Sequence, residues 1–265
     1  MVACFAVMGN PVAHSLSPVI HHHFAQQTGV ALRYEKMLVP EGGLATHISR
    51  FFAQGGRGLN ITLPFKQEAY ALASVLTARC QQAHAANTLW MKENKLHADN
   101  TDGVGLIRDL SRHIDLANKR VVVLGAGGAA RGIITPLLDA SVASLTVLSR
   151  TAEKGNALQF LFPAIVSVPR LSEKDSYDLI INATSAGINK TVWNWDFGCL
   201  LSAPFCYDLS YFLSEPTPFV QWAHAAGCCA IDGLGMLVEQ AAEAFLIWNG
   251  VFPETTPVLK LLRAT

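Results

Sequence analysis

Short apolar segments alternate with longer segments of helical hydrophobic spacing along the first hundred residues. The apolar segments predict strands at residues 5–7, 34–38, 58–62, 88–91 and 95–98. The intervening segments predict helices at residues 18–27, 43–54 and 65–77. This alternation is typical of an α/β unit with a mostly parallel sheet.

A second alternation begins with a predicted helix at residues 104–113. Strands are predicted at residues 120–124, 144–148, 179–182, 206–209 and 230–232, and the last helices at residues 237–248 and 256–262. The run at residues 120–124 is continuously apolar rather than alternating, as expected for a central parallel strand that is buried on both faces. We therefore expect an α/β protein of two lobes, with no internal repeat or long linker.

Composition and charge exclude several classes of protein. The 265 residues are 51% hydrophobic, and acids and bases number 20 each, which indicates a globular chain without a basic surface for nucleic acid. The apolar segment at residues 1–8 lacks a basic start and ends at Gly9-Asn10-Pro11, so we interpret it as a strand rather than a signal peptide. No segment approaches the roughly 20 continuous apolar residues of a membrane helix. We expect a cytoplasmic protein that is a monomer or a homodimer.

Cysteine and histidine usage gives no indication of a metal site. The six cysteines include no C-x-x-C pair, so we expect reduced thiols. The run His21-His22-His23 lies in a predicted helix, where adjacent side chains point in different directions and cannot converge on one ion. We interpret these histidines as residues of a helix surface.

A glycine-rich turn follows the continuous strand. Gly125-x-Gly127-x-x-Ala130 lies between that strand and a predicted helix, the context of a dinucleotide-binding fingerprint. The first glycine permits the tight turn, and the second lets a pyrophosphate approach the backbone. Ala130 keeps the helix close to the strand, so free N–H groups face the phosphates. The second lobe is thus predicted to be of the Rossmann type.

The end of the next predicted strand distinguishes the two nicotinamide dinucleotides. NAD sites usually carry Asp or Glu there to bind the ribose 2′-hydroxyl, whereas this chain has Ser149-Arg150-Thr151, with Lys154 one turn later. A guanidinium, an ammonium and hydroxyl groups suit a 2′-phosphate. The sequence therefore favours NADP, the alternative being that Arg150 and Lys154 are ordinary surface charges.

Polar side chains in the first lobe lie at the ends of predicted strands and helices, where an α/β sheet binds ligands. Each has an ordinary structural explanation when taken singly. Ser17 before Pro18 and Asp102 before a helix are acceptable caps, and Lys66 is an acceptable solvated lysine. The set consists of Ser15, Ser17, Asn60, Thr62, Lys66, Asn87 and Asp102.

The chain resembles the shikimate dehydrogenase family in motifs that run from the first strand to the last helices, in family order and spacing. Ser149, Lys154 and Leu209 differ from the residues usual in the family. The matching segments are residues 9–11, 15–18, 60–66, 87–88, 99–103, 125–129, 182–187, 207–208 with Tyr211, and 232–237 with Gln240.

The resemblance implies reversible reduction of 3-dehydroshikimate to shikimate with NADPH, with Lys66 and Asp102 as the catalytic pair. It implies a substrate-binding and catalytic domain at residues 1–103, an NADP-binding domain at 104–236, and helices at 237–265 that return to the first lobe. The implied substrate ligands are Ser15, Ser17, Asn60, Thr62, Lys66, Asn87, Asp102, Tyr211 and Gln240, with Ser15, Ser17 and Tyr211 on the carboxylate. The implied cofactor ligands are Gly125, Ala126, Gly127, Gly128, Ala129, Ser149, Arg150, Thr151, Lys154, Thr184, Leu209, Gly233 and Met236.

The chemistry of ketone reduction agrees with these roles. Hydride arrival at a carbonyl carbon builds negative charge on the oxygen, so a cation that can release a proton must lie beside it. Two alternatives remain open at this stage. One is a quinate/shikimate dehydrogenase that uses both NAD and NADP, and the other is a non-catalytic NADP sensor, against which intact Lys66 and Asp102 argue.

Overall fold

The chain forms two compact units in a computed structural model that describes residues 2–172, 175–184 and 204–264. The first unit consists of Met1–Gly105 with Val238–Leu261, and the second of Leu106–Leu237 with Leu262–Thr265. Most of the second unit is therefore inserted, along the chain, between two parts of the first.

The first unit contains a six-stranded mixed sheet in the order β2-β1-β3-β5-β6-β4. Strand β1 is parallel to β2 and β3, and β4 is parallel to β6, whereas β5 is antiparallel to both of its neighbours. The strands are β1 (Ala3–Gly9), β2 (Leu32–Leu38), β3 (Gly58–Ile61), β4 (Val75–Leu76), β5 (Thr88–Lys92) and β6 (Lys95–Asp99). The helices of this part of the chain are α1 (Ser17–Thr28), α2 (Leu44–Ala53), α3 (Lys66–Leu72), α4 (Ala78–Ala83) and α5 (Asp102–Leu110).

Hydrophobic spacing explains how the helices of this unit pack. In α2 the buried residues Leu44, Ile48 and Phe51 recur at the spacing of one helix face and pack with Leu59 and Ile61 of β3. Full burial of each such side chain stabilises the fold by about 1.5–3 kcal/mol. The polar residues at the end of β3 are thereby held on a rigid sheet.

The predicted helix at residues 65–77 is wrong in its second half. Helix α3 ends at Leu72, and the backbone N–H of Ser74 donates to the carbonyl of Leu96 at 2.8 Å. Val75 and Leu76 then pair with β6, and α4 begins after Thr77, whose hydroxyl accepts from the N–H of Cys80. Pairing with a strand about 20 residues further along the chain overrides the local helical spacing.

The second unit contains an all-parallel six-stranded sheet in the order β12-β11-β10-β7-β8-β9. The strands are β7 (Arg120–Leu124), β8 (Ser144–Leu148), β9 (Val166–Val168), β10 (Leu179–Asn182), β11 (Phe205–Asp208) and β12 (Ala230–Ile231). The helices are α6 (Gly128–Asp139), α7 (Ala152–Leu161) and α8 (Pro218–Ala225). The apolar side chains of β7 are completely buried, so the predicted Rossmann-type lobe with a central parallel strand is confirmed.

The last two helices are α9 (Leu234–Asn249) and α10 (Thr255–Arg263). Trp248 of α9 stacks on Phe5 of β1 with ring centroids 4.9 Å apart, and its Nε1 donates to the carbonyl of Leu89 at 3.2 Å. A Cβ on Gly58 would lie 2.5 Å from the Trp248 ring, so glycine is required at this close approach. The expectation that the C-terminal helices return to the first lobe is confirmed.

The surface interpretation of the three histidines is wrong for His21. This residue is completely buried, stacks on Tyr34 with centroids 4.4 Å apart, and also contacts the rings of Phe24 and Trp248. It lies on the same helical stripe as Ile20 and Phe24, which are buried too. Burial lowers the pKa of His21 to about 3, so the ring is neutral inside this aromatic cluster.

The described part of the chain contains no helix that is both long enough and apolar enough to cross a membrane. Among the same residues, no three His, Cys, Asp or Glu side chains are grouped as metal ligands. The five described cysteines are free thiols, and Cys199 lies outside the described residues.

Candidate active site

A mostly buried lysine and a buried aspartate meet in the first unit. Lys66 is the first residue of α3 and Asp102 the first of α5. The Nζ atom of Lys66 donates to Oδ2 of Asp102 at 2.5 Å, and the two side chains are 13% and 5% exposed. The turn before Lys66 contains the cis bond Leu63–Pro64, and the side chain of Phe65 is buried in the core. The packed helix start therefore fixes the direction of the lysine.

Asn87 binds the other oxygen of the aspartate. Its Nδ2 lies 2.9 Å from Oδ1 of Asp102, 2.9 Å from Oγ1 of Thr101 and 3.3 Å from Oε1 of Gln240. Its Oδ1 accepts from the N–H of Thr101 at 2.9 Å. The side chain of Asn100 accepts from the N–H of Asp102 at 3.1 Å. The carboxylate is thus oriented through both oxygens and its own backbone.

Asn60 extends this hydrogen-bonded cluster toward α1. Its Nδ2 donates to the Asn87 carbonyl at 3.1 Å and to Oγ1 of Thr88 at 3.2 Å, which lies directly opposite in the β3–β5 ladder. The hydroxyl of Tyr34 donates to Oδ1 of Asn60 at 2.6 Å. Burial raises the pKa of Tyr34, so the phenol stays protonated and keeps donating. Tyr34 is a member of the cluster that no sequence motif indicated.

Two serine hydroxyls lie at the start of α1. The hydroxyl groups of Ser15 and Ser17 are 3.1 Å apart, and Oγ of Ser15 accepts from the N–H of Ser17 at 3.3 Å. Ser17 is the first helical residue, and the N-cap position is held by Leu16, whose side chain makes no capping hydrogen bond. The alternative of Ser17 as the N-cap is therefore wrong. Both hydroxyls lie at the N-terminal end of a 12-residue helix. The positive end of the helix dipole favours anions there.

Thr62 immediately follows β3 and is partly buried. Its N–H donates to the carbonyl of Met8 at 2.9 Å, which ties the turn to β1. A Cβ on Gly9 would lie 2.3 Å from the methyl group of Thr62, so the glycine makes room for this side chain. The first unit therefore places the predicted polar residues in hydrogen-bonded groups or at element ends, as the sequence indicated.

In the second unit, the glycine-rich turn has the geometry of a phosphate cradle. Gly125 adopts φ +105°, and a Cβ there would lie 3.1 Å from Thr184 and 3.2 Å from the Ala183 carbonyl. A Cβ on Gly127 would meet nothing within 4 Å. Helix α6 begins at Gly128 without a side-chain cap, and its Ala130 is completely buried. Open space before uncapped N–H groups fits a dinucleotide pyrophosphate.

Basic and hydroxyl side chains follow the end of β8. Arg150, Thr151 and Lys154 are exposed around the start of α7. Ser149 is buried instead, and its hydroxyl donates to the Thr151 carbonyl at 2.9 Å. The strand end carries no carboxylate, so the arrangement fits a 2′-phosphate better than a bare 2′-hydroxyl. Ser149 serves to shape the turn.

A buried carboxylate organises the ends of β10 and β11. Oδ1 of Asp208 accepts from Asn182 at 2.8 Å and from the N–H of Ser210 at 3.0 Å, and Oδ2 accepts from Thr217 at 2.6 Å. Asn182 in turn accepts from the N–H and hydroxyl of Thr184 at 3.0 and 2.8 Å. Burial raises the pKa of Asp208 to about 6. Both residues occur in family-like motifs, but no site role was predicted for them.

The remaining predicted residues also lie in the second unit. A Cβ on Gly233 would lie 2.5 Å from the Leu209 carbonyl, so this glycine permits close approach of two loops. Met236 is buried, and Leu209 and Tyr211 are partly buried. Residues 185–187 of one matching segment lie outside the described residues.

Three family models match successive parts of the chain. Residues 7–89 match the shikimate dehydrogenase substrate binding domain, and residues 109–191 match shikimate / quinate 5-dehydrogenase. Residues 233–263 match the shikimate 5′-dehydrogenase C-terminal domain.

Similar proteins cover the whole length of the chain. A shikimate dehydrogenase (NADP(+)) from Legionella pneumophila (strain Lens) is 56% identical over 264 residues, which are 100% of each chain. One from Cupriavidus necator is 45% identical and covers 98% of this chain and 93% of its own. Among solved structures, shikimate 5-dehydrogenase from Thermus thermophilus in complex with NADP(H) and shikimate matches with a TM-score of 0.84 and 31% identity, covering 99% of each chain.

Proposed function

Because the chain belongs to the shikimate dehydrogenase family, we propose that Lys66 is the acid/base of its reaction and that Asp102 orients it. The chain functions as an NADP-dependent shikimate dehydrogenase, which interconverts 3-dehydroshikimate and shikimate in the shikimate pathway. The residue assignment rests chiefly on the 2.5 Å, partly buried bond between Lys66 and Asp102.

The reaction needs a proton at the oxygen whose carbon gains or loses hydride. NADPH supplies the hydride when it is bound. The Lys66 ammonium donates a proton to the developing alkoxide during reduction, and the amine accepts it during oxidation. Asp102 holds the Nζ atom of Lys66 in one orientation, and Asn87 fixes the carboxylate through its other oxygen. An amine that is already oriented has less conformational entropy to lose in the transition state.

The substrate is an anion that also carries hydroxyl groups, and the first unit offers groups for both. Ser15 and Ser17, at the positive start of α1, are assigned to the carboxylate. The amides of Asn60, Asn87 and Gln240, the hydroxyl of Thr62 and the Asp102 carboxylate are assigned to the ring hydroxyls. Each of these side chains can donate or accept a hydrogen bond, and each is buried or partly buried. Tyr211 belongs to the second unit, and its role at the carboxylate stays a prediction from the resemblance.

The second unit is assigned to NADP. The turn Gly125-Ala126-Gly127-Gly128-Ala129 is assigned to the pyrophosphate, because its helix start is uncapped and open. Arg150, Thr151 and Lys154 are assigned to the 2′-phosphate, with Ser149 shaping their turn. The segments that contain Thr184, Leu209, Gly233 and Met236 are assigned to the rest of the cofactor. We assign residues 1–103 to the substrate domain and 104–236 to the cofactor domain, with the helices at 237–265 completing the substrate domain through Val238–Leu261, the part of them that belongs to the first unit.

Oxidation by purified protein tests the function and its nearest alternative. Formation of NADPH or NADH is followed by absorbance with shikimate or quinate as substrate. The proposal expects the largest kcat/KM for shikimate with NADP, because a carboxylate that would select NAD is absent from the end of β8. Equal use of both cofactors and of quinate would support the dual-specificity dehydrogenase instead. We also propose a monomer or homodimer, which sedimentation velocity distinguishes.

A further inference from the structure

Arg79 joins two carboxylates that belong to distant parts of the first unit. Its Nε and Nη2 donate to Oδ1 and Oδ2 of Asp99 at 2.7 and 2.6 Å, and its Nη1 donates to Oε1 of Glu243 at 2.9 Å. Asp99 ends β6, and Glu243 lies in the middle of α9, 164 residues beyond Arg79 in the chain. One guanidinium therefore ties the last long helix to the central sheet.

Both carboxylates lie beside residues of the site. Glu243 follows Gln240 by three residues on α9, so the two side chains share a face of this helix. Asp99 precedes Asp102 by three residues, and its Oδ1 also accepts from Thr77 at 2.6 Å and from the N–H of Asn100 at 2.7 Å. The bridge thus fixes the distance between the segment that carries Gln240 and the segment that carries Asp102.

The burial of this bridge argues for a geometric role. The side chains of Asp99 and Glu243 are 4% and 11% exposed, and that of Arg79 is 30% exposed. Buried ion pairs contribute little net stability, because the cost of removing both charges from water offsets their attraction. A buried ion pair nevertheless restricts the positions of its side chains, and the bidentate bond of Arg79 to Asp99 is more directional than a single contact. A fixed geometry is useful here because Gln240 lies only 3.3 and 3.4 Å from Asn87 and Thr101.

We propose that Arg79 is a positioning residue, which holds α9 in the register where Gln240 reaches the substrate hydroxyls. The inference rests on the proposed role of Gln240 and adds a residue outside the family-like motifs. Arg79 itself touches neither Lys66 nor Asp102 through the hydrogen bonds described, so its loss should weaken substrate binding more than proton transfer.

Double-mutant cycles with Gln240→Ala test this inference by steady-state oxidation of shikimate. Arg79→Met removes both bonds, and Glu243→Met removes only the bond to α9 with nearly the same side-chain length. We expect each to raise the KM for shikimate by about tenfold, the effect of losing roughly one hydrogen bond, with kcat changed less than about threefold. In the Gln240→Ala background, each should add less than about twofold to KM, because the positioned group is already absent.

Matched variants separate positioning from a general loss of structure. Gln81→Met, at an exposed position on the same short helix as Arg79, should leave KM unchanged. Arg79→Lys keeps the charge and can bind one carboxylate, so its KM for shikimate should lie between those of wild type and Arg79→Met. If Arg79→Met does not fold, the Glu243→Met cycle alone decides the matter.

The outcomes that overturn the inference differ from those that overturn the assignment of Gln240. Effects of Arg79→Met and Gln240→Ala that multiply, or an unchanged KM in both Arg79→Met and Glu243→Met, would overturn the positioning role alone. An unchanged KM in Gln240→Ala would show that Gln240 does not bind substrate, and the inference would fall with it.

Discussion

The Nζ atom of Lys66 lies 2.5 Å from Oδ2 of Asp102, although 36 residues separate them and each begins a different helix. Asp102 lies in the first turn of α5, where the helix dipole favours a carboxylate. Asn87 occupies the second carboxylate oxygen at 2.9 Å. The pair is therefore pre-oriented, and replacement of each residue should change kcat and KM for shikimate differently.

Asp102→Asn should lower kcat by about 100-fold or more, at the lower end of the usual contribution of acid–base catalysis. The amide cannot attract the ammonium as the carboxylate does, so Lys66 loses its fixed direction. KM for shikimate should rise as well, because the same carboxylate is assigned to a ring hydroxyl. Steady-state oxidation of shikimate measures both constants. Asp115→Asn, at an exposed position, serves as the control, and equal kinetics for the two variants would remove Asp102 from the site.

Alanine at Gly125 and at Gly127 should have different effects. At Gly125 the φ of +105° and the contact with Thr184 disfavour a Cβ, so thermal stability should fall and KM for NADP should rise. At Gly127 a Cβ meets open space, so the melting temperature should stay within about 2 °C of wild type. Its KM for NADP should nevertheless rise at least about tenfold, because the methyl group occupies the approach of the pyrophosphate. Wild-type KM in Gly127→Ala would show that phosphates bind elsewhere.

Arg150→Ala should reduce the preference for NADP over NAD. One charge-assisted bond to the 2′-phosphate contributes about 1.5–3 kcal/mol, so the ratio of kcat/KM values should fall by roughly 10- to 150-fold. The activity with NAD should change little. Arg57→Ala, at an exposed position of the first unit, should leave the ratio unchanged. A preference that survives Arg150→Ala would assign the selectivity to Lys154 or to the backbone.

Three strands of the second sheet were predictable from the sequence to the residue. The segments of β7, β8 and β10 are four or five residues long, too short for a typical helix, and the structure places strands at the predicted bounds. The segment after Leu72 was not predictable, because β4 exists only through pairing with His97 and Ala98. His21 was misjudged for a similar reason, since its burial depends on rings supplied by β2 and α9.

The sequence indicated which residues belong to the candidate site better than it indicated which of them bond to one another. The polar residues at strand ends were visible as a set, but Lys66 and Asp102 became a pair only through the family resemblance. Tyr34 and Arg79 gave no local signal, because one lies in a strand of mixed burial and the other on a six-residue helix. Their roles depend on partners 26 and 164 residues away, Asn60 and Glu243.

Acid should destabilise the fold through His21. The unfolded chain binds a proton on this ring below about pH 6.5, whereas the folded chain does so only near pH 3. The unfolded state therefore holds more protons between these values, so the free energy of unfolding falls as pH falls through the window and is fully retained above it. At pH 5 the loss relative to pH 7 should be about 2 kcal/mol.

His21→Phe keeps a ring in the aromatic cluster and removes this titration. Urea unfolding at pH 7 and pH 5 should show a loss about 2 kcal/mol smaller for the variant than for wild type. Asp208, with a pKa raised to about 6, contributes in the opposite direction, and it is common to both proteins. His22→Phe, at the exposed neighbouring position, is the control. An identical pH dependence in wild type and His21→Phe would contradict the buried neutral ring.

Replacement of Lys66 by alanine tests the central claim most directly, in a single comparison of kcat and KM for shikimate with saturating NADP. The account predicts that kcat falls by about 10³-fold or more, because the proton acceptor is lost from the transition state, while KM changes less than about threefold. Lys92→Ala, at an exposed position on β5, should behave as wild type. A large rise in KM with kcat preserved would contradict the account, since it would make Lys66 a binding residue and leave the proton transfer to another group.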